Sequence, residues 1–326
     1  MILVTGGAGF IGSNIVAALC ARGADVVVCD HLRDNDKWRN IAKAAIVDVV
    51  TPEHLDDWLA KKSRLDAVVH MGAISSTTVT DADLTFDVNV SLSTRLWQWC
   101  AEHDTPFIYA SSAATYGAGE QGFDDDNRLE ALLGLRPLNA YGWSKCFFDR
   151  RVAQWLVRGE HTPPQWVGLK FFNVYGPNEY HKGSMRSVVA QKYPLAASGA
   201  PITLFKSHDP RYADGGQLRD FVYVRDCVDV VAWLLEQPRV NGIFNLGTGQ
   251  ARSFADVARA IASALGVAPR IEYIAMPDAI RPNYQYYTQA NMARLRAAGY
   301  ETPFTSLENG VRDYVVQFLA KTDPYV

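Results

Sequence analysis

The sequence predicts an α/β protein, a doubly wound parallel sheet joined to a smaller mixed α/β lobe. Three observations predict it. Short apolar runs alternate with segments of helical apolar spacing through the first half of the chain. The first run leads directly into a glycine-rich turn that opens a helix. The second half is less regular, without internal repeat or low-complexity linker, so the chain is expected to cross between lobes more than once. The expected division is 1–172 with 218–248 for the main domain and 173–217 with 249–326 for the smaller lobe.

In order, Ile2–Thr5 reads as a buried strand and Gly9–Arg22 as a helix ended by Gly23. Asp25–Cys29 and Ile46–Val50 are further strands, and a helix is expected from Thr51-Pro52, with Thr51 as cap and Pro52 in the first turn. Ala67–His70 and Phe107–Ala110 are short strands separated by one long helical pattern, Leu84–Cys100. Tyr141–Arg158 reads as a helix and Trp166–Phe171 as a strand. Beyond a polar loop at Ser207–Gln217, Asp220–Leu235 returns to strand–helix pattern, and Phe254–Leu265 is an amphipathic helix.

Bulk properties narrow the function. The chain has 326 residues, 48% hydrophobic and 21% charged, with a formal net charge of −3, so nothing points to a nucleic-acid or membrane-surface partner. Cys20, Cys29, Cys100, Cys146 and Cys227 are scattered without CxxC or metal-ligand spacing, which reads as reduced thiols in a cytoplasmic protein with no metal. The start, Met1-Ile2-Leu3-Val4, has no basic leader, and no stretch approaches the ~20 apolar residues of a membrane span.

The strongest motif is Thr5–Gly12, TGGAGFIG, with Gly6-x-x-Gly9-x-x-Gly12 between a strand and a helix. Glycines allow the tight turn and the close approach of backbone to a pyrophosphate, and the helix N-terminus offers free N–H groups to the phosphates. Asp30 lies 18 residues past Gly12, where a carboxylate accepts the adenosine ribose hydroxyls and favours NAD. Arg33, Lys37 and Arg39 follow closely and could receive the extra phosphate of NADP. Asp48, read as ending the third strand, is either an adenine or ribose contact or a helix cap.

Tyr141-Gly142-Trp143-Ser144-Lys145 places Tyr141 and Lys145 on one helix face. A free phenol has a pKa of ~10. A neighbouring ammonium, helped by an oxidised nicotinamide, lowers it toward a usable base that takes a hydroxyl proton while hydride leaves the same carbon. Ser112, in the hydroxyl-rich strand end Tyr109–Gly117, is the third member. Ser111 and Ser112 could instead be turn residues, and Thr115 competes for the role.

On these motifs, with His70–Ser76 (HMGAISS), Asn89 and Asn245–Gly249 (NLGTG), the chain resembles an extended short-chain dehydrogenase/reductase with the Rossmann sheet. A narrower resemblance rests on Ser75–Thr78, Leu138–Lys145, Phe171–Met185, Arg219–Asp226, Tyr287–Tyr300 and Pro303-Phe304. These are similar to the ADP-L-glycero-D-manno-heptose 6-epimerase family, with His181–Met185 (HKGSM) the most discriminating piece. The resemblance implies inversion at the exocyclic C6 of an ADP-heptose through a transient ketone, with tightly bound NADP, in making the heptose donor of the lipopolysaccharide inner core. It also implies a homo-oligomer, commonly a pentamer.

Carried over residue by residue, the resemblance makes Tyr141 and Lys182 the two proton-transfer groups, with Lys145 lowering the tyrosine pKa and Ser112 positioning the C6 oxygen. It places Phe10, Ile11, His31, Lys37, Met71, Gly72, Ala73, Ile74, Ser75, Asn89, Lys145, Val174 and Lys182 at the cofactor. It places Ser112, Asn173, Ser184, Gln191, Phe205, Lys206, Ser207, His208, Arg219 and Tyr284 at the substrate. Arg219 suits a diphosphate because its fork reaches two oxygens, while the bland alternative is a pair with Asp220 or Asp226. The loop after Phe205 is longer than in the enterobacterial members. Gln191 stands where those carry a histidine, and Met71 and His31 are unusual side chains at their positions. Two other functions compete. A UDP-hexose 4-epimerase or a 4,6-dehydratase shares the early motifs, but Ala113-Ala114-Thr115 replaces the dehydratase's acidic pair. A silent dinucleotide-sensing regulator would tend to lose the Tyr/Lys pair, which is present.

Overall fold

The computed structural model describes every residue except 34, 35, 78, 279, 280, 282 and 283. Thr78, the last residue of the Ser75–Thr78 motif, therefore lies outside the described residues. The chain begins β1 (Ile2–Thr5), α1 (Phe10–Ala21), β2 (Val26–Cys29), β3 (Asp48–Val50), α2 (Leu55–Leu59) and β4 (Ala67–His70). It continues through α3 (Ala82–Phe86), α4 (Leu92–Glu102), β5 (Phe107–Ser112), α5 (Leu129–Gly134), α6 (Ala140–Arg158), β6 (Trp166–Phe171) and β7 (Asn173–Tyr175). The second half holds α7 (Val188–Ala197), β8 (Ile202–Phe205), β9 (Leu218–Tyr223), α8 (Val224–Leu235), β10 (Gly242–Leu246) and β11 (Ala251–Ser253). Last come α9 (Phe254–Ala264), β12 (Ile271–Ile274), α10 (Ala293–Ala297) and α11 (Leu307–Tyr314).

Seven parallel strands form the main sheet, in the order β10-β6-β5-β4-β1-β2-β3. Strands such as β2 (VVVC) and β4 (AVVH) are buried along their whole length, the pattern of parallel strands covered by helices on both faces. Helices α1 and α8 pack together. An aromatic group joins α4 and α6 to the sheet: Trp97 lies 5.3 Å from Trp155, 6.0 Å from Phe107 and 5.9 Å from Trp166. The register sets Thr5 beside His70 and His70 beside Tyr109, so the turns that follow β1, β4 and β5 emerge along one edge.

The smaller lobe is built on β11-β9-β7 and on the pair β12-β8. A second core, including Tyr175, Phe221, Val257, Ile261 and Tyr314, fills it. Helix α9 opens with a reciprocal cap: Ser253 Oγ accepts from Asp256 N at 3.0 Å, and Asp256 Oδ2 accepts from Ser253 N at 3.1 Å.

Three expectations are refined. The helical pattern Leu84–Cys100 is borne out as an unbroken run from Ala82 to Glu102, but its middle, Asp87–Ser91, is a π-helical turn between α3 and α4 and carries Asn89. Thr51 takes the N-cap position and Pro52 the first turn as expected, but of a short 3-10 segment, Pro52–His54, ahead of α2, and the Thr51 hydroxyl bonds His54 Nδ1 at 2.9 Å rather than a backbone N–H. The strand read as Phe107–Ala110 runs on through Ser112.

Candidate active site

The turn after β1 is shaped by close contact. A Cβ on Gly12 would lie 2.1 Å from Gly6 O, so the turn folds onto the start of α1 only with glycine there. Gly9 is the N-cap of α1 without a capping side chain, and the first turn of α1 carries no acidic residue. Among the described residues no side chain caps its leading N–H groups, as an anion site requires. Asp30, 8% exposed, accepts from Ala8 N at 3.0 Å, His31 N at 2.8 Å and Lys37 Nζ at 2.5 Å. Lys37 also donates to His31 O at 3.1 Å.

Asn40 links this turn to the HKGSM element. Its Nδ2 donates to Ala8 O at 2.9 Å and approaches His181 Nδ1 at 3.1 Å, while its buried Oδ1 has no partner among the described residues. His181 is pushed down to about 4 by burial, with Lys37 and Lys182 adding to the effect. Lys182 Nζ lies 5.3 Å from the centre of the Phe10 ring. Burial lowers its pKa, with Glu179 pulling the other way. The element is a 3-10 segment, Tyr180–Met185, kinked at Gly183 with φ 56. The buried Glu179 anchors it by accepting from Ser187 N, and from Ser187 Oγ at 2.6 Å.

The segment after β4 lies alongside. Gly72 N donates to Thr5 Oγ1 at 3.2 Å, and Thr5 Oγ1 meets His70 Nδ1 at 2.5 Å. His70, held neutral by burial with its pKa down to about 3, contacts Ser93 Oγ at 2.8 Å through Nε2. Asn89 is fully buried. It accepts from Ile74 N at 2.8 Å and donates to Ile74 O at 3.0 Å and to Ser144 Oγ at 3.0 Å. One amide thus fixes the 71–75 segment to the Tyr/Lys helix.

That helix, α6, starts at Asn139, whose side chain accepts from Gly142 N at 2.8 Å. It presents Tyr141 toward Ser112. Burial raises the Tyr141 pKa, and the hydrogen bond with Ser112 acts in the opposite direction. Burial is the larger of these two effects on Tyr141. Lys145, 3% exposed, is pushed down to about 8 by burial, opposed by Asp149. Ser112 Oγ also accepts from Ala114 N at 3.1 Å. Thr115 is committed elsewhere: it donates to Ser112 O at 2.8 Å and accepts from Lys170 Nζ at 2.7 Å.

A second cluster lies in the smaller lobe. Arg219, 7% exposed, donates to Leu218 O at 2.8 Å and to Gln285 O, and its guanidinium lies 5.7 Å from the Phe254 ring centre and 5.3 Å from that of Tyr284. It pairs with neither Asp220 nor Asp226. Asp220 accepts from Thr248 N and Gly249 N, and Asp226 from Thr305. The Tyr286 ring lies tilted against Tyr212 at 5.3 Å and edge-on to Tyr284 at 5.2 Å, and its hydroxyl accepts from His208 N at 2.9 Å.

The profile of the NAD dependent epimerase/dehydratase family matches residues 2–247. Curated relatives called ADP-L-glycero-D-manno-heptose-6-epimerase include one from Fusobacterium nucleatum, 47% identical over all of both chains, and one from Nitratidesulfovibrio vulgaris, 48% identical over all of both. The chain belongs to this heptose-6-epimerase family. Among solved structures, the Helicobacter pylori ADP-L-glycero-D-manno-heptose-6-epimerase is 28% identical with TM-score 0.79, covering 98% of this chain and 96% of that one. The Thermus thermophilus UDP-glucose 4-epimerase, solved with NAD, is 29% identical with TM-score 0.74, covering 98% and 99%.

Not every residue singled out in the epimerase sequence joins these clusters. Asp48 opens β3 rather than ending it. It is exposed, its Oδ1 accepts from Val49 N at 2.8 Å, and the strand's cofactor-side end is Val50. Gln191 spends its amide on Ser184 O at 3.0 Å and Arg186 O at 2.6 Å. Ser184, Lys206, His208 and Asn173 are exposed, and Phe205, Ser207 and Val174 partly so. His31 is tied to Glu53 at 2.6 Å. Residues that spacing could not reveal include Asn40, Tyr212, Phe254 and Tyr286, each brought in by a segment remote in sequence.

Proposed function

We propose that this enzyme inverts C6 of ADP-D-glycero-D-manno-heptose to give ADP-L-glycero-D-manno-heptose through a transient ketone, with NADP held in the turn after β1. The observation that carries the reading is a pair of proton-transfer groups on separate elements: Tyr141 on α6, bonded to Ser112, and Lys182 on the kinked 3-10 segment beside Phe10. Inversion needs the carbonyl to present both faces, so a proton donor or acceptor is required in each orientation.

The donor set fits the cofactor. The uncapped start of α1 suits the pyrophosphate, and Gly6, Gly9, Phe10, Ile11 and Gly12 would hold it there. Lys37, His181 and Lys182 gather on the same side, and three hydrogen bonds already compensate the Asp30 carboxylate, which favours the extra phosphate of NADP. When bound, the nicotinamide supplies the acceptor and later the donor of the C6 hydrogen with its electron pair. Tyr141 takes the C6 hydroxyl proton, with Ser112 steering the oxygen. Lys145 contributes its cationic charge beside the phenolate, and the positive charge of the ligand adds what burial alone withholds. Lys182, depressed by burial, exchanges the proton in the other orientation. Arg219, between Phe254 and Tyr284, meets the substrate diphosphate. Five free cysteines support a reducing cytoplasm as the place of work.

Two measurements test this. Heat-denatured enzyme should release NADP; NAD in its place would overturn the cofactor choice. Thermal-shift comparison should show stabilisation by ADP-sugars well above that by UDP- or dTDP-sugars, and the reverse order would overturn the substrate class.

A further inference from the structure

Directly behind Ser112 lies an ion pair with no access to solvent. Lys170 on β6 and Asp149 on α6 are each fully buried and meet at 2.8 Å. Asp149 also accepts from Ser111 Oγ at 2.7 Å and from Tyr109 OH at 3.1 Å. Lys170 donates as well to Thr115 Oγ1 at 2.7 Å, and Thr115 in turn donates to Ser112 O at 2.8 Å. The ammonium completes its shell 5.0 Å over the Tyr116 ring. A single buried cation therefore ties the helix of Tyr141 and Lys145 to the turn that carries Ser112.

A buried pair of this kind is not needed for folding as such, since apolar replacement of both partners is often neutral. Its placement suggests another use. Asp149 is one helical turn beyond Lys145 and two beyond Tyr141 on α6. We propose that the Lys170–Asp149 pair is a positioning device for proton transfer, Lys170 fixing the Ser112 turn against α6 while Asp149 sets the charge behind Lys145. The inference rests on the roles given above to Tyr141, Lys145 and Ser112.

The groups facing Asp149 define what its loss would do. They are Tyr109 and Ser111 from β5, Lys170 from β6, and Lys145 and Cys146 from α6; beyond Lys170 lie Tyr116 and Asp125. Lys145 feels Asp149 as the charge opposing its desolvation. Removing that carboxylate therefore moves Lys145, and with it the alkaline limb of the pH profile, to lower pH.

The test uses the full-length enzyme with its cofactor. K170M alone strands a buried carboxylate, so the informative variant is D149N/K170M, accompanied by T115V. The expected result for the double variant is retained cofactor and a KM within about twofold, with kcat down at least tenfold and its pH profile displaced to lower pH. T115V, which removes the hydroxyl that joins Lys170 to Ser112 O while leaving the Lys170–Asp149 pair in place, should lose several-fold in kcat. Wild-type kcat with an unmoved profile in the double variant would overturn the proposal. If that variant fails to fold, wild-type kcat in T115V overturns it instead. Y141F is the control: if it turns over normally the base assignment has failed, whereas an inactive Y141F beside a fully active double variant refutes only this inference.

Discussion

The two lysines assigned to the chemistry stand in opposite kinds of structure. Lys145 is on α6, a 19-residue helix with a side-chain cap at Asn139 and a left-handed glycine end at Gly159. It is 3% exposed in the larger core. Lys182 is on a six-residue 3-10 segment kinked at Gly183, held from beneath by Glu179. Burial depresses both ammonium groups, and in both a carboxylate opposes the shift, Asp149 for Lys145 and Glu179 for Lys182. The same electrostatic recipe is thus realised once on a rigid helix and once on a short irregular turn. The difference teaches that Lys145 can serve as a fixed charge, whereas Lys182 depends on its local anchor for position.

Replacements sharpen that contrast. The largest effect is expected for Y141F, which removes the proposed base beside the fixed lysine: kcat should fall by about 10³–10⁴ while cofactor is retained, as measured by turnover and by the absorbance of bound dinucleotide. K182M should cost about 10²-fold in kcat, as loss of one of two proton-transfer groups does. Steady-state rates near wild type would break the symmetry between the two sites. R219M, in the smaller lobe, should act on binding instead, raising KM by about 10- to 100-fold through lost charge-assisted bonds to phosphate, with kcat little changed.

A pH profile separates the lysines further. Lys145 is cationic below its pKa of about 8 and neutral above it. As pH rises through that value the support for the Tyr141 phenolate is lost, so kcat/KM should decline on the alkaline side. In K145M that limb should vanish along with most of the rate. The smallest effect is one of stability. S253A removes the reciprocal cap of α9 and should lower unfolding free energy by about 1 kcal/mol in denaturant titrations, without altering kcat.

How much of this was legible in the sequence follows from how local each feature is. Strands Ile2–Thr5, Ala67–His70 and Trp166–Phe171 are readable to the residue, because parallel strands buried on both faces leave mainly apolar runs, even with Lys170 inside the last of them. The glycine turn and the Tyr141/Lys145 spacing are equally local. The π turn at Asn89 is not, since a one-residue insertion in a helix leaves the apolar spacing nearly intact. Asp48 was misplaced because β3 is short and starts two residues later than its apolar run. The Lys170–Asp149 pair and the Asn40 bridge join segments far apart in the chain, and no spacing within one element announces them.

The most direct test of the proposed inversion at C6 is turnover of ADP-D-glycero-D-manno-heptose carrying deuterium at C6, with the product read by NMR for both configuration and isotope. The expected product has inverted C6 with the deuterium kept, because the hydrogen leaves and returns with its electron pair inside one closed site. An uninverted product from folded, cofactor-loaded enzyme, or inversion with deuterium exchanged for solvent hydrogen, would contradict it.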